Sequence, residues 1–116
     1  GTFAKQKVTM RSGETDLGRT ADPAPFVEAM QTIAAQSRHE GILSVDCFKN
    51  EKGIFILEMN CRISGHYPLA YLAGMNYPQL LVDWLRGLPT NKDLLKFVTE
   101  LFIIKDLVPT VLKKGK

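Results

Sequence analysis

A chain of 116 residues, 45% of them hydrophobic and 23% charged, fits one domain that buries a core and is too apolar to remain disordered. Its formal net charge of +3 is modest and dispersed apart from the final KKGK, which reads as a solvated tail, so no nucleic-acid partner is expected. No apolar run is long enough to span a bilayer, and the start, GTFAKQKV, lacks the apolar stretch of a signal peptide, so we expect a cytoplasmic protein with no membrane partner.

Residues 3–11 (FAKQKVTMR) mix apolar and basic side chains and suit a strand, which runs into a turn-rich segment over 12–20 (SGETDLGRT). Asp22-Pro23 then reads as an N-cap followed by proline at the first helical position. Phe26, Val27, Met30, Ile33 and Ala34 recur at helical spacing, predicting a helix over 23–38 that His39-Glu40-Gly41 ends. Strands are expected over 42–48 and 54–60, joined by the polar loop KNEKG with glycine placed for a hairpin. Two short helices follow, one from His66 or Tyr67 to Ala73 and one capped by Asn76 that carries Leu80, Leu81, Trp84 and Leu85. Residues 96–104 (KFVTELFII) read as a last strand, followed by a segment around Pro109 and the basic tail. Cys47 and Cys61 show neither CxxC nor Cys/His ligand spacing. They read as buried reduced thiols, with a disulfide left open. The fold class expected is α+β, an antiparallel sheet with helices packed on one face.

Side chains alternate faces along a strand, so the central hairpin can be sorted by parity. Leu43, Val45 and Cys47 share one face with Phe55, Leu57 and Met59, and this is the expected core, covered by the helix from Pro23. The other face carries Ser44, Asp46, Glu58 and Asn60, with Arg62 continuing the parity. A hairpin closing around Glu51 pairs Ser44 with Glu58 and leaves Asp46 diagonal to Glu58, at Cα separations of about 7–8 Å. Hard oxygen donors with no imidazole or thiolate among them suit Mg²⁺ or Mn²⁺ rather than zinc. Arg62 beside them is placed to hold a phosphate oxygen through its guanidinium fork. The plainer alternative is a surface ion pair between Glu58 and Arg62 with Asp46 a solvated edge residue.

These residues resemble the C-terminal part of the ATP-grasp superfamily, and more closely its carbamoyl-phosphate-synthase-like branch. The matching pieces are GILSVDCF from Gly41, GIFILEMNCRISG from Gly53, then Pro68 and the Ala73-Gly74 turn with the helix after it. Upstream, MRSGETD from Met10 resembles the Arg-x-Gly-Glu-Thr-Asp loop of relatives of that branch. The similarity spans residues 8–87, and 88–116 is a terminal strand and basic tail that no motif anchors.

The resemblance implies that Asp46, Glu58 and Asn60 are ligands of the magnesium ions that hold ATP, with Asp46 where carbamoyl-phosphate synthases usually have glutamine. It implies that Arg62 stabilises the γ-phosphate and the acyl-phosphate formed from it. The family reaction activates a carboxylate or bicarbonate with ATP, after which an amine or other nucleophile displaces phosphate. Glu14 and Thr15 are implied to orient the acceptor, Arg11 to hold its carboxylate and His66 to reach substrate. As residues alone, SGETDLG is an ordinary surface turn and His66 a helix-start histidine bonded to backbone.

The lysines, adenine-binding hinge strand and glycine-rich lid of the superfamily's earlier subdomain are not located in this sequence. The chain is therefore expected to be a single-domain C-terminal fragment of a longer ATP-grasp enzyme, with the missing N-terminal part as its partner and little turnover alone. Dimerisation through the sheet face exposed in that fragment is a further expectation. The function expected is that of an ATP-dependent carboxylate–amine ligase using Mg²⁺ (or Mn²⁺), its carboxylate and amine substrates unassigned. The alternative is a non-catalytic binding or regulatory module that retains the subdomain fold.

Overall fold

The computed structural model describes residues 1–106; the expected Pro109 segment and basic tail lie outside them. Strand β1 (Ala4–Arg11) turns through Ser12 and Gly13 into antiparallel β2 (Glu14–Ala21). Both turn residues have positive φ, 49° and 82°, as a two-residue hairpin that matches strand twist requires. The expectation of a turn-rich loop over 12–20 is therefore corrected: only Ser12-Gly13 is the turn, and ETDLGRTA is a central strand. Its polar look is misleading because Thr15 and Thr20 are buried. Thr20 Oγ1 donates to the Val98 carbonyl at 2.8 Å and accepts from Leu101 N at 2.9 Å.

Helix α1 (Val27–Ser37) follows a 3₁₀ turn over Ala24–Phe26. Asp22 Oδ1 accepts from Ala24 N at 3.0 Å, but the expected cap is corrected: Pro23 is the N-cap of the 3₁₀ turn and Phe26 that of α1, neither with a side-chain cap bond. Strands β3 (Ser44–Asn50) and β4 (Gly53–Asn60) make a separate two-stranded antiparallel sheet. Helix α2 (Tyr67–Leu72) and helix α3 (Tyr77–Leu85) come next, the latter capped by Asn76 Oδ1 accepting from Gln79 N at 3.1 Å. The last strand, β5 (Phe102–Ile104), pairs with β2 and completes the order β1-β2-β5. It is three residues long rather than spanning 96–104, because Glu100 sits at φ 61°, a left-handed conformation that no regular strand contains. Among the described residues no helix is long and apolar enough to cross a membrane.

The core lies between the three-stranded sheet and α2–α3. Leu69, Ala70, Ala73, Met75, Leu80, Ala4, Thr20 and His66 are all buried. Full burial of each larger aliphatic there contributes about 1.5–3 kcal/mol. The core expected under the hairpin is not found: Phe55, Leu57 and Met59 are 48%, 60% and 52% exposed. A register shift between Asp46 and Cys47 bulges β4 at Leu57, pairing Asp46 with Glu58 but Cys47 with Ile56. One extra residue reverses the parity of β4 on either side of it. The apolar residues beside α1 are accordingly Ile54 and Ile56, which line a groove with Pro25, Ala29 and Ile33. Cys47 is half-buried and Cys61 exposed, and neither is in a disulfide.

Candidate functional site

The hairpin closes on Glu51-Lys52 and not around Glu51 as expected, and this shift adds to the bulge to alter the acidic face by two residues. Asp46 stands directly opposite Glu58, not diagonal to it, and Ser44 stands opposite Asn60. Direct antiparallel partners point to the same face with Cα atoms about 4.5–5.5 Å apart, so the two carboxylates are closer neighbours than a symmetric hairpin allows. Like charges facing each other across a ladder repel. Each carboxylate has its own compensation: Lys7 Nζ pairs with Asp46 Oδ2, and Asn60 Nδ2 donates to Glu58 Oε1 at 2.7 Å. Asp46, Glu58 and Asn60 are thus brought together on one side of the hairpin as expected.

Strand β1 supplies what the sequence reading missed. Lys5 and Lys7 are two residues apart, hence on one face of the strand; Lys7 reaches β3 and Lys5 the loop after β4. Lys7 meets Asp46, and Lys5 Nζ donates to Ser64 Oγ at 2.8 Å. Burial pushes the Lys5 amine down to about 8, against the opposing pull of the Asp46 charge. The pattern AKQKV carried the signal, a lysine at every second position of a strand, but its partners are distant in sequence.

A second group gathers where β2 begins. Glu14 Oε2 accepts from Lys105 Nζ at 2.8 Å. That hydrogen bond and charge hold the Glu14 carboxyl below the usual carboxylate range, with Arg62 and His66 adding to the effect. Arg62 itself donates to the Ile63 carbonyl at 3.2 Å. Arg11 pairs with Asp16 at 3.0 Å. Arg11, Glu14, buried Thr15, Asp16, Lys105 and Asp106 line a small cleft of about 130 Å³. Positive and negative groups alternate around it, which suits a ligand bearing both charges more than a simple polyanion.

His66 is 3% exposed, and neither ring nitrogen meets a hydrogen-bond partner among the described residues. The expected backbone bond to its ring is absent there; it is His66 N that donates, to Ser64 Oγ at 3.3 Å. Burial, then the Lys5 and Lys105 charges, lower its pKa. The ring therefore favours the neutral form.

The donor set on the hairpin is all oxygen: two carboxylates and an amide carbonyl. No group of three or more His, Cys, Asp and Glu able to hold a metal occurs among the described residues. A metal on this face therefore needs Asn60 beside the two acids and further oxygen donors from phosphate or water. Mg²⁺ and Mn²⁺ accept that arrangement, since magnesium usually keeps waters and shares its sphere with substrate phosphates. Among curated proteins none matches the chain. A family model described as ATP-grasp in the biosynthetic pathway with Ter operon matches residues 5–104. The match takes in both lysines of β1, the β2 strand and the hairpin, and by it the chain belongs to this family of the ATP-grasp superfamily.

Proposed function

We propose that the chain forms the metal- and phosphate-binding C-terminal part of an ATP-dependent carboxylate–amine ligase of the carbamoyl-phosphate-synthase-like branch. ATP-grasp proteins are in general ligase-type enzymes that use ATP with Mg²⁺ or Mn²⁺, and this chain belongs among them. The observation that carries the finer reading is the apposition of Asp46 and Glu58 with Asn60 on the same face. Two facing acids repel and make a ready pair of ligands, and oxygen donors of this kind select a hard divalent ion.

Asp46, Glu58 and Asn60 would hold the metal with the triphosphate. Bound there, divalent cations neutralise the charge that gathers as a carboxylate oxygen attacks the terminal phosphorus. Arg62 would donate to a phosphate oxygen, and the half-buried Lys5 amine adds positive potential near Asp46. The carboxylate–phosphorus bond forms as the bond to ADP breaks. An amine then attacks the acyl carbon, the C–O bond to phosphate breaks as inorganic phosphate leaves, and the proton lost by the amine passes to water. Thr15, Glu14 and Arg11 border the cleft we assign to the acceptor, with His66 a neutral wall behind it. The remainder of the nucleotide site belongs, in this reading, to a preceding part of a longer protein, which also covers the exposed apolar residues of β4.

The test is Mg²⁺-dependent, ATP-driven phosphate release by that longer protein, screened against bicarbonate and pooled amino acids. Acceptor-stimulated release that disappears in Glu58→Ala and Asn60→Ala supports the ligase. Undiminished release in both variants rules out this site.

A further inference from the structure

The contact between Lys7 and Asp46 has a role the ligase reading does not by itself require. Lys7 comes from β1 and Asp46 from β3, so the pair joins the two sheets across 39 residues of sequence. It is also the cation lying on one of the two acids that face each other across β3–β4. Glu58 is matched differently, by the amide of Asn60. Without a metal, each acid is therefore neutralised or solvated by a group of the chain itself.

We propose that Lys7 is a resident counter-ion for the metal site: its ammonium occupies Asp46 while no divalent cation is bound, and metal entry displaces it. The inference rests on the reading of Asp46 as a metal ligand. The chemistry favours exchange in this direction. An ammonium is a single charge held at one oxygen, whereas a divalent cation engages Asp46, Glu58 and Asn60 together. Both Lys7 and Asp46 side chains reach solvent, so the released ammonium is rehydrated in place. Its position on β1, on the same strand face as Lys5, leaves it beside the site after release.

The consequence is competition. A chain without the Lys7 ammonium binds metal more tightly, because nothing must be displaced. Since ion pairs open to solvent are weak, the gain is at most about fivefold rather than many decades. The experiment titrates the chain with Mn²⁺, counting free ion by electron paramagnetic resonance, in the wild type, Lys7→Met and Asp46→Asn. A separate titration with Mg²⁺ follows the Lys7 ammonium resonance of the wild type by NMR. The proposal expects tighter Mn²⁺ binding in Lys7→Met, loss of binding in Asp46→Asn, and a Mg²⁺-dependent shift of the Lys7 ammonium signal.

Unchanged or weaker binding in Lys7→Met, with binding still lost in Asp46→Asn, overturns the counter-ion and leaves the metal site standing. Absence of Mn²⁺ binding in both wild type and Lys7→Met removes the metal reading, and the counter-ion with it. Lys7→Gln repeats the comparison if Lys7→Met does not fold. The ammonium readout needs no substitution: a Lys7 signal indifferent to saturating Mg²⁺ also overturns the proposal.

Discussion

Gly18 on β2 and His66 at the head of α2 occupy a single packing space: a Cβ on residue 18 would lie 2.6 Å from His66 Cε1 and 3.0 Å from Nδ1. Leu69 Cδ2 closes the other side at 3.1 Å. The glycine is needed for room and not for backbone freedom, and the ring it admits is buried. Gly18→Ala is expected to destabilise the chain by about 1–3 kcal/mol through overpacking. Denaturant unfolding measures it, and adding His66→Ala should recover part of the loss, because the two changes share one space.

The same burial sets a pH dependence. The folded state lowers the His66 pKa below its ordinary 6.5, so the unfolded chain binds the proton more readily. Stability contributed by the neutral ring is present above about pH 6.5 and is lost as pH falls from there toward the folded value. Unfolding midpoints measured between about pH 7.5 and 5.5 should fall in the wild type and fall less in His66→Gln. An equal fall in both would assign the dependence to other groups.

Thr20 tests the central strand. Its hydroxyl serves both the Val98 carbonyl and the Leu101 amide, and the residue is 0% exposed. Thr20→Val keeps the shape and strands both backbone groups, so the loss should be about 2–3 kcal/mol. Amide exchange at Leu101 should accelerate, since its hydrogen bond is the one removed.

How far the sequence could be read depended on whether a signal was local. The Asn76 cap and the short helices are set by neighbours within a few residues and formed where expected, and the Gly53 hairpin formed with its turn one residue wider. The acidic face was legible too, because Asp46, Glu58 and Asn60 declare their side by alternation. The register was not: nothing in the sequence marks Glu51-Lys52, rather than Glu51 alone, as the turn, or Leu57 as the extra residue, and these two one-residue shifts together moved Asp46 from diagonal to opposite and re-aimed the apolar face. ETDLGRTA was misjudged because polar residues suggest a loop, while here the Thr20 hydroxyl is paired by residues 78 and 81 positions away. Lys5 and Lys7 were overlooked for the same reason: a lysine acquires its meaning from what it meets, and their partners lie on other elements.

The central claim is that the Asp46–Glu58–Asn60 face holds a divalent cation. The most direct measurement is a Mg²⁺ titration of the isotope-labelled chain followed by its backbone amide NMR spectrum, with Glu58→Gln as control. The account predicts saturable shifts centred on Ser44 to Cys47 and Glu58 to Arg62, abolished in the control. No saturable shift in those two strands, or an identical response in Glu58→Gln, would contradict it.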